Sequence, residues 1–294
     1  MEDNPVDRTK VTFSQAEGLE PLAQPLALGE LSKELRAYLW YIIYESLLKE
    51  SDTTGFNYER EITGWWETAL KIIHVTINHA PVDEFTSKFD IHTRNLKALI
   101  MHGPYNKVFD FLQHVTRSPD CPQILVMNFR AAFKRAQAAY TVIDDGPTIL
   151  PVSTPEEGEA IKEAFEDLQA AGFDGARAHL RKAVEHLNAG DNADSVRESI
   201  HAVESVARQF DLAAKYSLKP ALDALQSKIR VHPALKQGFE KLYGYTSDEK
   251  GIRHALLADS AAVDQTDAIF MLGACASFVS YLTGKARTTG LISK

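Results

Sequence analysis

The densest run of chemically distinct side chains in this 294-residue sequence is Leu242-Tyr243-Gly244-Tyr245-Thr246-Ser247-Asp248-Glu249-Lys250-Gly251-Ile252-Arg253-His254-Ala255. Phenols, hydroxyls, carboxylates, an ammonium, a guanidinium and an imidazole all fall within it. A second set, Arg197, His201, Glu204 and Arg208, recurs at i, i+4, i+7 and i+11, which places all four on one face of a helix. Arg and His are the pair that metal-independent RNA cleavage needs. The 2′-hydroxyl attacks the adjacent phosphate, an imidazole moves a proton, and a guanidinium holds the charge developing on the phosphoryl oxygens. On this reading His254 is the general acid or base and Arg253 the phosphate clamp, with Tyr245, Asp248 and Glu198 orienting them and Arg197 and His201 in support. A single His supplies about 10² to 10⁴-fold, which suits a slow or regulated nuclease.

Each constellation also has a purely structural reading. Gly244 can close one helix, and Thr246 with Glu249 has capping-box spacing for the next, so Arg253 and His254 fall in its second turn as parts of a well-capped corner. The Arg197 stripe lies one residue's rotation from the apolar stripe and borders the core, where Arg197 pairing with Glu204, or Glu198 with its neighbours, would make a salt-bridged face.

Other chemistry is thin. The sequence has no Walker A loop, no Gly-x-Gly-x-x-Gly, no Gly-x-Ser-x-Gly, no His-Glu-x-x-His and no Cys-x-x-Cys. That makes nucleotide binding the weakest of the functional readings. The pairs His74/His79 and His179/His186 lack a neighbouring carboxylate arrangement in sequence, so they read as surface or packing histidines, and neither metal nor cofactor is expected. Cys121 and Cys275 both sit among apolar residues, as packing residues of a protein in a reducing compartment.

The elements that must position these residues are helical. Leu31, Leu35, Leu39, Ile42, Ile43 and Leu47 recur at three- and four-residue steps over 30–50, with Ser32 as a candidate cap. Ile62, Trp65, Trp66, Leu70, Ile73 and Ile77 repeat the pattern over 61–79 until Pro81, with the two Trp facing different neighbours. Further helices are expected over 105–115 and 123–142, and residues 1–29 read as an irregular lead-in. Asp144-Asp145-Gly146-Pro147 and the β-branched run after it then break the pattern. Thr154, Pro155 and Glu157 make a strong helix start, which puts a domain boundary near 150. Helices over 155–171, 174–189, 193–211, 218–229, 233–243, 248–258 and 264–285 complete the chain. Val196, Ile200, Val203 and Phe210 form one core stripe, and Ala268, Leu272, Cys275, Val279 and Leu282 another.

Composition narrows the partners. With 45% apolar and 24% charged residues the chain is globular, and its formal charge of −8 argues against wholesale coating of nucleic acid or an anionic membrane. The acidic first thirty residues do not read as a signal peptide, and the uncharged run 268–284 is expected to be a buried helix, not a membrane span.

Four segments carry a family resemblance. Val196 to Ser205, His232-Pro233-Ala234-Leu235, Leu242 to Ala255 and Ser277 to Leu282 resemble the HEPN-type domain of abortive-infection proteins over roughly 155–286. Phe13-Ser14-Gln15-Ala16-Glu17-Gly18 and Leu31 to Trp40 resemble the amino-terminal module of AbiJ-like proteins. The resemblance implies an all-α chain, with an N-terminal helical module over 1–150 and a HEPN-type bundle over 151–294. It further implies a cytoplasmic anti-phage protein that forms a homodimer through the HEPN domain, cleaves RNA and answers a phage or host trigger. Active family members pair an Arg and a His a few residues apart. The nearest analogue by context is Gly251 to Ala255, although neither Arg253-His254 nor Arg197/His201 reproduces the spacing. The rival reading is a non-catalytic dimerisation and sensing module.

Overall fold

Ser32 begins the first long helix by accepting a hydrogen bond from the Leu35 N–H at 3.1 Å, and of the apolar stripe foreseen there Leu35, Leu39, Ile43 and Leu47 are fully buried while Leu31 and Ile42 pack half-buried beside them. The computed structural model describes residues 11–21, 24–54, 59–143, 147–209, 231–247 and 263–292. Among them are the α-helices α1 (Phe13–Ala16), α2 (Lys33–Lys49), α3 (Gly64–Thr76), α4 (Phe89–His102), α5 (Tyr105–Arg117) and α6 (Gln123–Arg135). The second half holds α7 (Pro155–Ala171), α8 (Asp174–Ala189), α9 (Asn192–Gln209), α10 (Pro233–Ser247) and α11 (Gln265–Thr288). Two antiparallel hairpins are the only strands among the described residues. One pairs β1 (Ser51–Thr54) with β2 (Glu59–Ile62), and the other pairs β3 (Tyr140–Ile143) with β4 (Thr148–Pro151). The fold is all-α, as expected.

Two hydrophobic clusters organise the molecule. The first joins Leu35, Leu39, Ile43 and Leu47 of α2 to Trp66 and Leu70 of α3, Val108, Leu112 and Val115 of α5, and Phe129 and Phe133 of α6. The second joins Ile161, Phe165 and Leu168 of α7 to the inner faces of α8, α9 and α11. They meet at the second hairpin, where strand alternation divides the side chains between them. Val142 and Ile149, which pair across the ladder, enter the first cluster, whereas Ile143 and Leu150 enter the second.

The differences from the sequence expectations have local causes. The helix through 123–142 ends at Arg135, because Gln137 takes a left-handed backbone (φ 49°) and the β-branched run Thr141-Val142-Ile143 pairs with β4. The lead-in contains a short helix, α1, started by a Thr12/Gln15 capping box. α4 was not foreseen: only Leu96 and Ile100 of it are buried, and its last carbonyls are met from α2. There Arg36 donates to Ile100 O at 2.7 Å and to Gly103 O at 2.9 Å. α10 runs through Gly244 to Ser247 and does not stop at that glycine. Phe210 and the helices expected over 218–229 and 248–258 lie outside the described residues.

α11 is long and apolar enough to cross a membrane by length and composition, yet 61% of its apolar window is buried by the fold. Ala268, Leu272, Cys275, Val279 and Leu282, the stripe foreseen from sequence, lie in the second cluster.

Candidate functional site

Gly190 closes α8 in the left-handed conformation (φ 82°), and Asp191 then turns the chain with its N–H donating to His186 O at 2.9 Å. α9 therefore runs back along α8. His179 and His201 stand at equal distances either side of Gly190, so the hairpin sets them opposite each other. Glu198, one turn before His201 on α9, lies between them.

The geometry is close. His179 Nδ1 is 2.7 Å from Glu198 Oε2, His201 Nδ1 is 3.6 Å from Glu198 Oε1, and the two rings meet edge to face with centroids 5.3 Å apart. The His179, Glu198 and His201 side chains are 34%, 17% and 34% exposed, so the carboxylate is the most covered of the three while both rings reach solvent. Partial burial acts to raise the Glu198 pKa. The hydrogen bond and charge of His179, with the charges of His201 and Lys182, outweigh it and hold the carboxyl below its ordinary range. The carboxylate orients the His179 ring through its hydrogen bond and faces the His201 ring at ion-pair distance, which puts two imidazoles, the groups best suited to proton transfer near neutral pH, beside one another. The same three residues place their ligand atoms within 4.8 Å of one another and could hold a metal ion.

The residues foreseen from sequence divide. Glu198 and His201 enter this cluster. Arg197 turns away and pairs with Asp194, and Glu204, 6% exposed, pairs with Arg208 at 2.8 Å, so the foreseen Arg197–Glu204 pairing is not formed. Tyr245 belongs to α10, while Asp248, Arg253 and His254 lie outside the described residues. His179, read from sequence as a surface or packing histidine without a carboxylate, is the member that reading missed. Its carboxylate comes from the next helix, and the equal offsets of His179 and His201 from Gly190 were the available signal. His74 fits the packing expectation, bonding Pro81 O at 2.9 Å and meeting the Phe85 ring edge to face. Both cysteines have thiols pushed up by burial, Cys121 to about 11 and Cys275 to about 12, which agrees with a packing role.

A cleft of about 600 Å³ lined by none of these residues lies between α2 and α6, where Arg135 stacks 4.7 Å over the Tyr38 ring.

Comparison with known proteins places the chain. The family model described as AbiJ N-terminal domain 4 matches residues 11–167, which is just over half the chain and extends through the second hairpin into α7. No curated protein and no solved structure matches it. The chain therefore belongs to the AbiJ N-terminal domain 4 family, which points to a role in abortive infection.

Proposed function

We propose that this chain is a cytoplasmic abortive-infection ribonuclease whose C-terminal half is a HEPN-type, dimer-forming domain that cleaves RNA without a metal. The observation that carries the proposal is the His179–Glu198–His201 cluster on the α8–α9 hairpin, two solvent-reaching imidazoles on one carboxylate. A neutral imidazole takes the proton of the ribose 2′-hydroxyl as its oxygen attacks the adjacent phosphorus. A protonated imidazole gives a proton to the departing 5′-oxygen, and the pair ends with its protonation states exchanged. The products are a 2′,3′-cyclic phosphate and a 5′-hydroxyl. Arg253 keeps the role of phosphate clamp that its residue type suits, and His254 beside it is a second candidate for the acid or base. Family membership supplies the anti-phage setting, and a phage or host trigger accounts for control of a nuclease that would otherwise harm its own cell.

The test is to incubate purified protein with bacterial RNA in EDTA and to analyse the fragment ends. Cyclic-phosphate ends, with DNA of the same sequence untouched, support the reading. Cleavage of DNA, or fragments ending in 5′-phosphate, would exclude 2′-hydroxyl attack.

A non-catalytic sensing module is the second reading. It is favoured by the pairing of Arg197 with Asp194 and of Arg208 with Glu204, because both guanidiniums on the α9 stripe are engaged within their own helix.

A further inference from the structure

We infer that His179, Glu198 and His201 form a transition-metal site of the Zn²⁺ class, and that metal binding there switches the acid–base pair off. The second clause rests on the ribonuclease reading; the first does not. Glu198-Ser199-Ile200-His201 is a Glu-x-x-His sequence, whose i, i+3 spacing puts a carboxylate and an imidazole one turn apart on the same helix face. Facing helices of a bundle commonly build metal sites from that pair plus a residue across the groove. Here His179 of α8 is that residue.

Two imidazoles and one carboxylate are the borderline donor set that Zn²⁺ and its late first-row neighbours prefer over Mg²⁺ or Ca²⁺. Three protein ligands leave one position open. Bonds of about 2.1 Å arranged tetrahedrally put ligand atoms about 3.4 Å apart. The present ligand atoms lie within 4.8 Å, and side-chain rotation of the two partly exposed rings closes the remainder. Lys182, exposed on α8, is the nearby cation whose charge also acts on Glu198.

The consequence for proton transfer follows from atom balance. Nδ1 of each ring gives its lone pair to the metal: an imidazolium releases its Nδ1 proton to solvent and keeps the one on Nε2, and a neutral Nδ1–H ring loses that proton to solvent while Nε2 takes one up. A ring ligated through Nδ1 and protonated on Nε2 has no basic nitrogen left. Neither ring can then accept the 2′-hydroxyl proton.

The experiment uses untagged full-length protein, stripped with EDTA and desalted, titrated calorimetrically with ZnCl₂ and by visible absorption with CoCl₂. The wild type is expected to bind one equivalent, with Co²⁺ bands of a four- or five-coordinate site. Affinity should fall at least about tenfold in His179→Ala and in His201→Ala. Circular dichroism melts of each variant confirm the fold, and His102→Ala, an exposed histidine of the N-terminal half, serves as a control that should bind like the wild type. Wild-type binding no tighter than that of the folded His179→Ala/His201→Ala double variant overturns the site. One equivalent of Zn²⁺ should abolish RNA cleavage. Binding without inhibition of an active enzyme overturns the switch. Binding by a protein that cleaves no RNA supports the metal site and removes the ribonuclease reading, so the two failures are separable.

Discussion

Glu198 on α9 accepts a 2.7 Å hydrogen bond from His179 on α8, across a hairpin that brings residues nineteen apart in sequence face to face. That contact makes the α8–α9 hairpin acid-sensitive. The Glu198 carboxyl is held below its ordinary value of about 4.3. A carboxyl with a lowered folded-state pKa contributes stability that is complete above the unfolded value and is lost as pH falls through the folded one.

Glu198→Gln should therefore flatten the acid limb of the stability curve below about pH 4.3 relative to wild type. Urea melts at a series of pH values check this. An unchanged acid limb would mean that the carboxylate is not held by its imidazole partners.

His92 makes a second acid-sensitive contact, in the N-terminal half. Burial lowers its pKa against the opposing pull of its hydrogen bond to Thr86 O at 2.5 Å, with nearby His74 adding to the lowering. Its protonation in the folded state is therefore delayed, and stability is lost as pH drops below the unfolded value of about 6.5 toward the lower folded value. His92→Gln should remove that loss between neutral and mildly acidic pH. NMR titration of the His92 ring should give a midpoint below the unfolded value of about 6.5.

The two cysteines should differ little in chemistry and greatly in access. With thiols at about 11 and about 12, neither is appreciably ionised at neutral pH. Under native conditions Cys275, buried in the second cluster, should resist a thiol reagent until the protein unfolds, while Cys121 reacts slowly. Mass spectrometry after timed labelling counts the modified sites, and prompt double labelling would contradict the packing of α11.

Packing of α11 on α7 depends on a small residue. A Cβ at Gly273 would come within 2.8 Å of Glu157 Cγ, and the Glu157 carboxylate is itself fixed by the Ser153 N–H at 2.6 Å. Gly273→Ala should destabilise by about 1–3 kcal/mol through overpacking. Leu272→Ala, which leaves a cavity at a fully buried position, should cost about 2–5 kcal/mol. Thermal melts of the two variants separate the effects, because Glu157→Ala should relieve the first and leave the second unchanged.

Most of the helical frame was legible from apolar spacing, because α2, α7, α8, α9 and α11 each bury one periodic face. The elements that escaped lack such a face or borrow their end signals from elsewhere. β1 and β2 are polar throughout except Ile62, and the end of α4 is held by Arg36 from another helix. Trp65 and Trp66 do separate as expected, with Trp66 Nε1 donating to Ser46 Oγ and Trp65 Nε1 to Pro119 O, although their rings still touch edge to face. Within the candidate site, Glu198 and His201 could be named because one helix carries both. His179 joins them only if Gly190 is read as the turn of an α8–α9 hairpin, whose equal arms of eleven residues then set it opposite His201.

Metal-free RNA cleavage by the imidazole pair of the C-terminal half is read by comparing wild type, His179→Ala/His201→Ala and Arg253→Ala/His254→Ala on total bacterial RNA in EDTA on a denaturing gel. Discrete fragments from wild type, lost in the His179/His201 variant while its melt stays cooperative, are the predicted result. Loss in the Arg253/His254 variant as well would join both pairs in one site. Equal cleavage by wild type and the His179/His201 variant would contradict the account and leave the cluster a structural contact.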